Sequence, residues 1–139
     1  MIIQKYIDGV EYTVSVVLWR DGIIQAVVPK EIICKRGITK LAITRRNQLI
    51  KQLCYKIQEK LHADGPFNLQ LIIDKNTGIP YPIEINPRFS STVYMRHKLG
   101  FTDVLWSLND FFNEPIKLKE VSKGTTLVRY QDVMVLKDG

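Results

Sequence analysis

The run Tyr12-Thr13-Val14-Ser15-Val16-Val17-Leu18-Trp19 is the stretch that most constrains this chain. Its β-branched and aromatic side chains fit a pleated strand, and Asp21-Gly22 closes it before a second apolar run reaching to about Ile33. Two central residues of Asp-Gly type favour a type I′ turn, which predicts an antiparallel hairpin with Arg20 facing Ile23 and Val16 facing Val27. Residues 1–7 read as a short apolar strand in front of it, ending in an Asp8-Gly9 bend. With 139 residues, 45% hydrophobic and 24% charged, such a sheet has a core to rest on, and disordered and collagenous chains are excluded. No apolar stretch approaches the roughly 18 residues of a membrane span, and the first residues lack a signal-peptide layout, so a cytosolic protein is expected. Cys34 and Cys54 make neither a zinc site nor a disulfide framework, and both read as small buried thiols.

Over residues 35–44 no period is clear, and Gly37 among basic residues predicts a basic loop there. Thr44 is the expected N-cap of an amphipathic helix carried by Leu49, Ile50, Leu53, Cys54, Ile57 and Leu61. Gly65-Pro66 stops that helix and starts two strands, residues 67–74 and 80–86, around Asn76-Thr77-Gly78 read as a three-residue loop. A weakly helical stretch ends at Leu99-Gly100; a second helix follows, capped by Thr102 and terminated at Asn113-Glu114-Pro115; residues 124–136 supply a last strand or strand pair. The expected fold is one α+β domain over 1–139, an antiparallel β-sheet with two main helices and no internal repeat.

Pairing Lys75 with Ile79 and counting back puts Gln70 opposite Glu84 and Asn68 opposite Asn86, on one face, while Tyr81, Ile83 and Ile85 point the other way. One carboxylate and its carboxamide neighbours form a hard-oxygen cluster of the kind that suits Mg²⁺, which takes one or two protein carboxylates and completes its octahedron with water and phosphate. Arg88 lies two residues past Asn86, where a planar guanidinium beside a metal is a phosphate clamp. An ordinary half-exposed strand shows the same alternation, with Arg88 as a surface ion-pair partner.

The spacing Asn68-Leu69-Gln70 followed by Glu84-Ile85-Asn86-Pro87-Arg88 resembles the end of an ATP-grasp domain, specifically of carbamoyl phosphate synthetase-like members. Gln4-Lys5-Tyr6-Ile7-Asp8-Gly9-Val10-Glu11-Tyr12 is similar to that family's hinge strand and ribose-binding glutamate. The resemblance covers about residues 2–100 and implies an ATP-grasp C-terminal subdomain there, with 101–139 a helix-strand extension. It implies ATP and Mg²⁺ or Mn²⁺ as cofactors. Lys5 and Tyr6 would offer backbone groups to adenine, with Gln4 beside them, Ile83 would floor the base, and Glu11 would hold the ribose hydroxyls. Gln70 and Glu84 would take one metal, Glu84 and Asn86 the second, with Asn68 in the same cluster, and Arg88 would contact the γ-phosphate. The implied activity is activation of a carboxylate-like substrate as an acyl phosphate, attacked by an amine or ammonia. The family's first subdomain, with its phosphate lysine and glycine-rich lid, precedes the hinge strand, so the resemblance implies a missing N-terminal half in cis or in trans. The place three residues after Arg88, often basic in the synthetases, is Ser91, which leaves the acceptor substrate open.

The charge of +6 is unevenly spread: residues 30–60 hold nine Lys or Arg against Glu31 and Glu59. The alternative reading is a basic nucleic-acid or anion-binding module using residues 35–60, with Tyr55 or Trp19 for stacking. His62 and His97 read as surface residues, and no Gly-x-Ser-x-Gly elbow, Gly-x-Gly-x-x-Gly or Walker-type loop occurs.

Overall fold

A computed structural model describes residues 3–130. Among these residues six strands form one antiparallel sheet: β1 (Gly9–Leu18), β2 (Ile24–Arg36), β3 (Ile38–Thr44), β4 (Phe67–Asp74), β5 (Pro80–Asn86) and β6 (Thr126–Val128). Their order is β5-β4-β1-β2-β3-β6. Helices α1 (Gln48–Leu61), α2 (Val93–His97) and α3 (Asp103–Phe112) complete it; two are substantial and α2 is a single short turn. Among the described residues no helix is long and apolar enough to cross a membrane.

Alternation divides the sheet. On one face Tyr12, Val14, Val16 and Leu18 of β1 join Phe67, Leu69 and Leu71 of β4 under Ile50 and Cys54 of α1. That burial pushes the Cys54 thiol up to about 12. Cys34, expected to be buried, is exposed at the far end of β2. On the other face Val17 and Val28 pack against Phe101 and Trp106, whose rings meet edge to face at 4.6 Å. Gly9 starts β1 where a Cβ would lie 2.0 Å from the Ile73 carbonyl oxygen, so only glycine admits the β1–β4 approach there.

Several local expectations are corrected. Residues 3–8 are not strand. The basic loop is a β2–β3 hairpin, with Arg36 paired to Ile38 and Gly37 at φ 68° in the bend. Thr44 ends β3 instead of capping α1; its hydroxyl donates to Ser122 O at 2.6 Å. Asn47 is the cap, its side chain accepting from Ile50 N at 3.0 Å.

Both hairpin turns also differ from expectation. The first has a three-residue loop, Arg20-Asp21-Gly22, with Gly22 at φ 78° and Trp19, rather than Arg20, bonded to Ile23 O. A bulge at Gln25 then restores Val16 to Val27. The second has a four-residue loop, 75–78, bracketed by an Asp74 N to Ile79 O bond of 3.1 Å, so Lys75 does not pair with Ile79. Thr77 and Asn76 amides donate to the Asp74 carboxylate and hold it below the usual carboxylate range. A bulge at Ile83 then restores the expected pairing beyond it.

The extension packs through α3 and through the 122–125 segment against Thr44. The expected last strand is Thr126–Val128 on the outer edge of β3. Residues 124, 125, 129 and 130 are not strand, and the remainder of that expectation, 131–136, lies outside the described residues.

Candidate functional site

The bulge at Ile83 places Gln70 opposite Glu84 and Asn68 opposite Asn86. Direct partners across antiparallel strands share a face, so the pairings continue inward as rows. Lys30, Thr13, Gln70 and Glu84 make one row across β2, β1, β4 and β5; Val28, Ser15, Asn68 and Asn86 make the next. Exposure rises along the first row from the fully buried Lys30 through the half-buried Gln70 to the exposed Glu84. The sheet face is thus dry under α2 and α3 and open at β5.

The bulge corrects one orientation. Tyr81 pairs with Ile72, two residues along from Gln70, so it shares the face of Glu84 rather than pointing away with Ile85. Ile83 is the bulged residue itself and is 42% exposed beside Glu84.

Within the cluster, Asn68 is buried and its Oδ1 accepts from the Thr13 hydroxyl at 2.9 Å. The Asn86 carboxamide has a buried nitrogen without a hydrogen-bond partner. An amide can be turned to exchange its oxygen and nitrogen, so this end of Asn86 is equipped to meet a ligand atom. No group of three or more His, Cys, Asp or Glu able to hold a metal occurs among the described residues. The donor set around Glu84 fits a hard cation only if phosphate and water supply the other oxygens.

Glu11 lies on the same face of β1, two residues before Thr13, and its Oε1 accepts from Lys35 Nζ at 2.6 Å. Gln4, Lys5 and Tyr6 are exposed in the segment leading into β1, which passes the β4–β5 turn where Asp8 O accepts from Lys75 N. They are therefore nearer the hairpin tip than Asn86 and Arg88 at the other end of β5. The exposed Arg88 follows the β5 end, its NH1 donating to Phe89 O at 3.0 Å.

Counting charges along the sequence missed what lies beneath this face. Lys30, grouped there with the basic surface, is fully buried, and Nζ donates to Ser15 Oγ and Val28 O at 3.0 Å each. Burial first, and then the Arg96 cation, hold its pKa well below the lysine range, against an opposing pull from Asp103. Arg96 is fully buried too: it pairs with Asp103 and donates to Ser90 Oγ and Thr92 Oγ1 at 2.9 Å each. It thereby pins the loop that follows Arg88. The available signal was phase, since Lys30 alternates with Val28 on a strand whose partner positions, Thr13 and Ser15, belong to a buried run.

The antiparallel sheet and its helices have the fold of an ATP-grasp subdomain. The chain is similar to N5-carboxyaminoimidazole synthetase from Staphylococcus aureus complexed with ADP, at 19% identity and TM-score 0.68 over 82% of this chain and 32% of that one. It is similar to the phosphoribosylaminoimidazole carboxylase ATPase subunit from Aquifex aeolicus at 17% identity and TM-score 0.68, over 82% and 36%. It is also similar to multifunctional pyruvate carboxylase from Rhizobium etli at 14% identity and TM-score 0.61, over 78% and 12%. The chain thus spans about a third of the first two structures' length. Residues 1–133 match the family described as "ATP-grasp in the biosynthetic pathway with Ter operon", and the chain belongs to that ATP-grasp family. No protein of curated function matches it.

Proposed function

We propose that this chain is the Mg-ATP-binding C-terminal part of an ATP-grasp ligase that activates a carboxylate as an acyl phosphate for attack by an amine or ammonia. The observation that carries the reading is the register that sets Glu84 between the carboxamides of Gln70 and Asn86 on the open sheet face, with Arg88 at the strand end. The motif order supports the carbamoyl phosphate synthetase-like type. Residues 1–100 form the nucleotide-binding core in this reading and 101–139 an extension, and an N-terminal subdomain in cis or in trans supplies the lid and phosphate lysine.

Glu84 with Gln70 and with Asn86 would hold Mg²⁺ or Mn²⁺, the bound metal offsetting charge on the ATP phosphates. Asn68, held by the Thr13 hydroxyl, faces Asn86 across the strand pair. Glu11 accepts from the ribose hydroxyls, with Lys35 holding its carboxylate in place. Backbone groups of Lys5 and Tyr6 meet adenine with Gln4 beside them, and Ile83 lies under the base. The Arg88 fork binds the γ-phosphoryl group while a substrate carboxylate oxygen attacks phosphorus and ADP leaves. The amine then attacks the acyl carbon and phosphate leaves.

The test is Glu84→Gln in the protein completed by its N-terminal half, with ATP, Mg²⁺ and candidate carboxylates. The substitution removes the only carboxylate of the cluster and is expected to abolish ADP release while the melting temperature holds. Unchanged turnover refutes the assignment. Salt separates the alternative: nucleic-acid binding by residues 35–60 would fall linearly with log salt, whereas the ATP-grasp reading predicts Mg²⁺-dependent preference for ATP over AMP.

A further inference from the structure

A cavity of about 660 Å³ lies away from the candidate nucleotide site, at the other end of β2. One wall is five consecutive residues of β2, 25–29. Successive side chains of a strand point to opposite faces, so consecutive residues line one cavity only where it opens on the strand's edge. The pairing agrees: β3 covers β2 from Lys30 to Arg36, and among the described residues no strand pairs with 24–29 on that side. Pro29 O faces the cavity side, where it accepts from Arg45 N at 3.0 Å, and alternation turns the N–H and C=O of Val27 the same way. The facing wall is again consecutive chain, residues 118–121, with Trp106 and Tyr55 on the two flanks. The cavity is a slot with the length of a five-residue strand, about 17 Å.

Its charge is polarised. Arg45, Arg46, Lys51 and Lys119 line it with Glu120; Arg45 pairs with Glu31 at 2.6 Å and Arg46 with Glu120 at 3.2 Å, so Lys51 and Lys119 are the cations of the lining that have no carboxylate among the described residues. The N-terminus of α1 opens at the Pro29 end, with no acidic residue in its first turn. Asn47 satisfies the amides of Ile50 and Lys51, which leaves those of Gln48 and Leu49 as donors.

From this slot we infer that the β2 edge binds the C-terminal end of an extended peptide, added as a strand parallel to β2, with its terminal carboxylate at Lys51 and the start of α1. Charge decides the direction. A parallel strand ends beside Pro29, among the cations, whereas an antiparallel one would bring its α-ammonium there. The ladder bonds to Val27 supply affinity independent of sequence, and the apolar flank at Trp106 takes a β-branched side chain. This site does not depend on the nucleotide reading.

The probe is the peptide Val-Thr-Val-Thr-Val with a blocked N-terminus and a free C-terminal carboxylate, titrated into the 139-residue chain and followed by amide chemical shifts. Binding is expected to move the amides of 25–28, 46–51 and 118–121. The C-terminal amide should bind about tenfold more weakly or worse, and Lys51→Glu should do the same. N-methylation of the peptide's central valine, which leaves the protein untouched, should abolish binding. Equal affinity for acid and amide, shifts elsewhere, or no shifts at millimolar peptide overturn the proposal. So does an equal response to acetate, which would make the slot a small-anion site. A chain ending at Tyr130 should bind as the full one does; binding that appears only after that truncation would make residues 131–139 the occupant and overturn it too.

Discussion

Replacing Lys30 with Met should flatten the alkaline side of the stability profile. Lys30 is fully buried, its two named partners are a hydroxyl and a carbonyl, and the Arg96 cation opposes its charge more than Asp103 supports it. Its pKa in the folded state is therefore depressed below the value of about 10.4 in the unfolded chain. Between those two values the unfolded chain holds a proton that the folded one has released, so stability rises with pH through that window and levels off above the unfolded pKa. The largest slope one group can give is about 1.4 kcal/mol per pH unit. Lys30→Met keeps much of the volume, loses the two hydrogen bonds at about 1 kcal/mol each, and loses this slope. Urea unfolding of both proteins from pH 7 to 10.5 measures it, and the difference between them cancels the background titration of Tyr12 and the surface lysines. The expected result is a wild-type stability that gains on the variant as pH rises. Parallel profiles would refute the argument, because they would mean that Lys30 stays protonated in the fold.

Further outcomes follow from the same packing. Asp103→Asn leaves the Arg96 cation uncompensated in the interior and should cost about 3–5 kcal/mol by denaturant unfolding. Asn47→Ala removes the cap of α1 and should cost about 1 kcal/mol, whereas Thr44, were it the cap, would show that helix-specific loss instead; helical circular dichroism near the midpoint separates them. Arg88→Lys keeps the charge but loses the fork, so in the completed protein turnover should fall by about tenfold or more with the melting temperature unchanged.

The β1–β2 and β4–β5 strand pairs and the facing pairs of the candidate site were legible in the sequence; the turns were not. Each hairpin loop is one residue longer than its Gly-containing signature suggested, and each is followed by a bulge of one residue, at Gln25 and at Ile83, which returns the strands to the expected pairing. Burial fixes the register beyond the turn, because a slip of one residue would carry Val16 or Leu69 out of the core, while the turn follows its own local bonds. The β2–β3 hairpin was hidden because its exposed, cationic residues show no buried face to give a period. Lys30 and Arg96 were hidden for the opposite reason. A cation in sequence carries a presumption of solvent that only tertiary packing, here by α2 and α3, can reverse.

The row from Lys30 to Glu84 crosses three inter-strand spacings, about 14 Å. A polyanion placed at the open end acts on the dry end through the sheet, with little salt between them to screen it. At an effective dielectric of about 20, each unit of negative charge over that distance favours the Lys30 ammonium by roughly 1 kcal/mol. A polyanion held at one edge would thereby favour the protonated state of Lys30 at the centre of the molecule, and a heat of binding that changes with the ionisation enthalpy of the buffer would report that coupling.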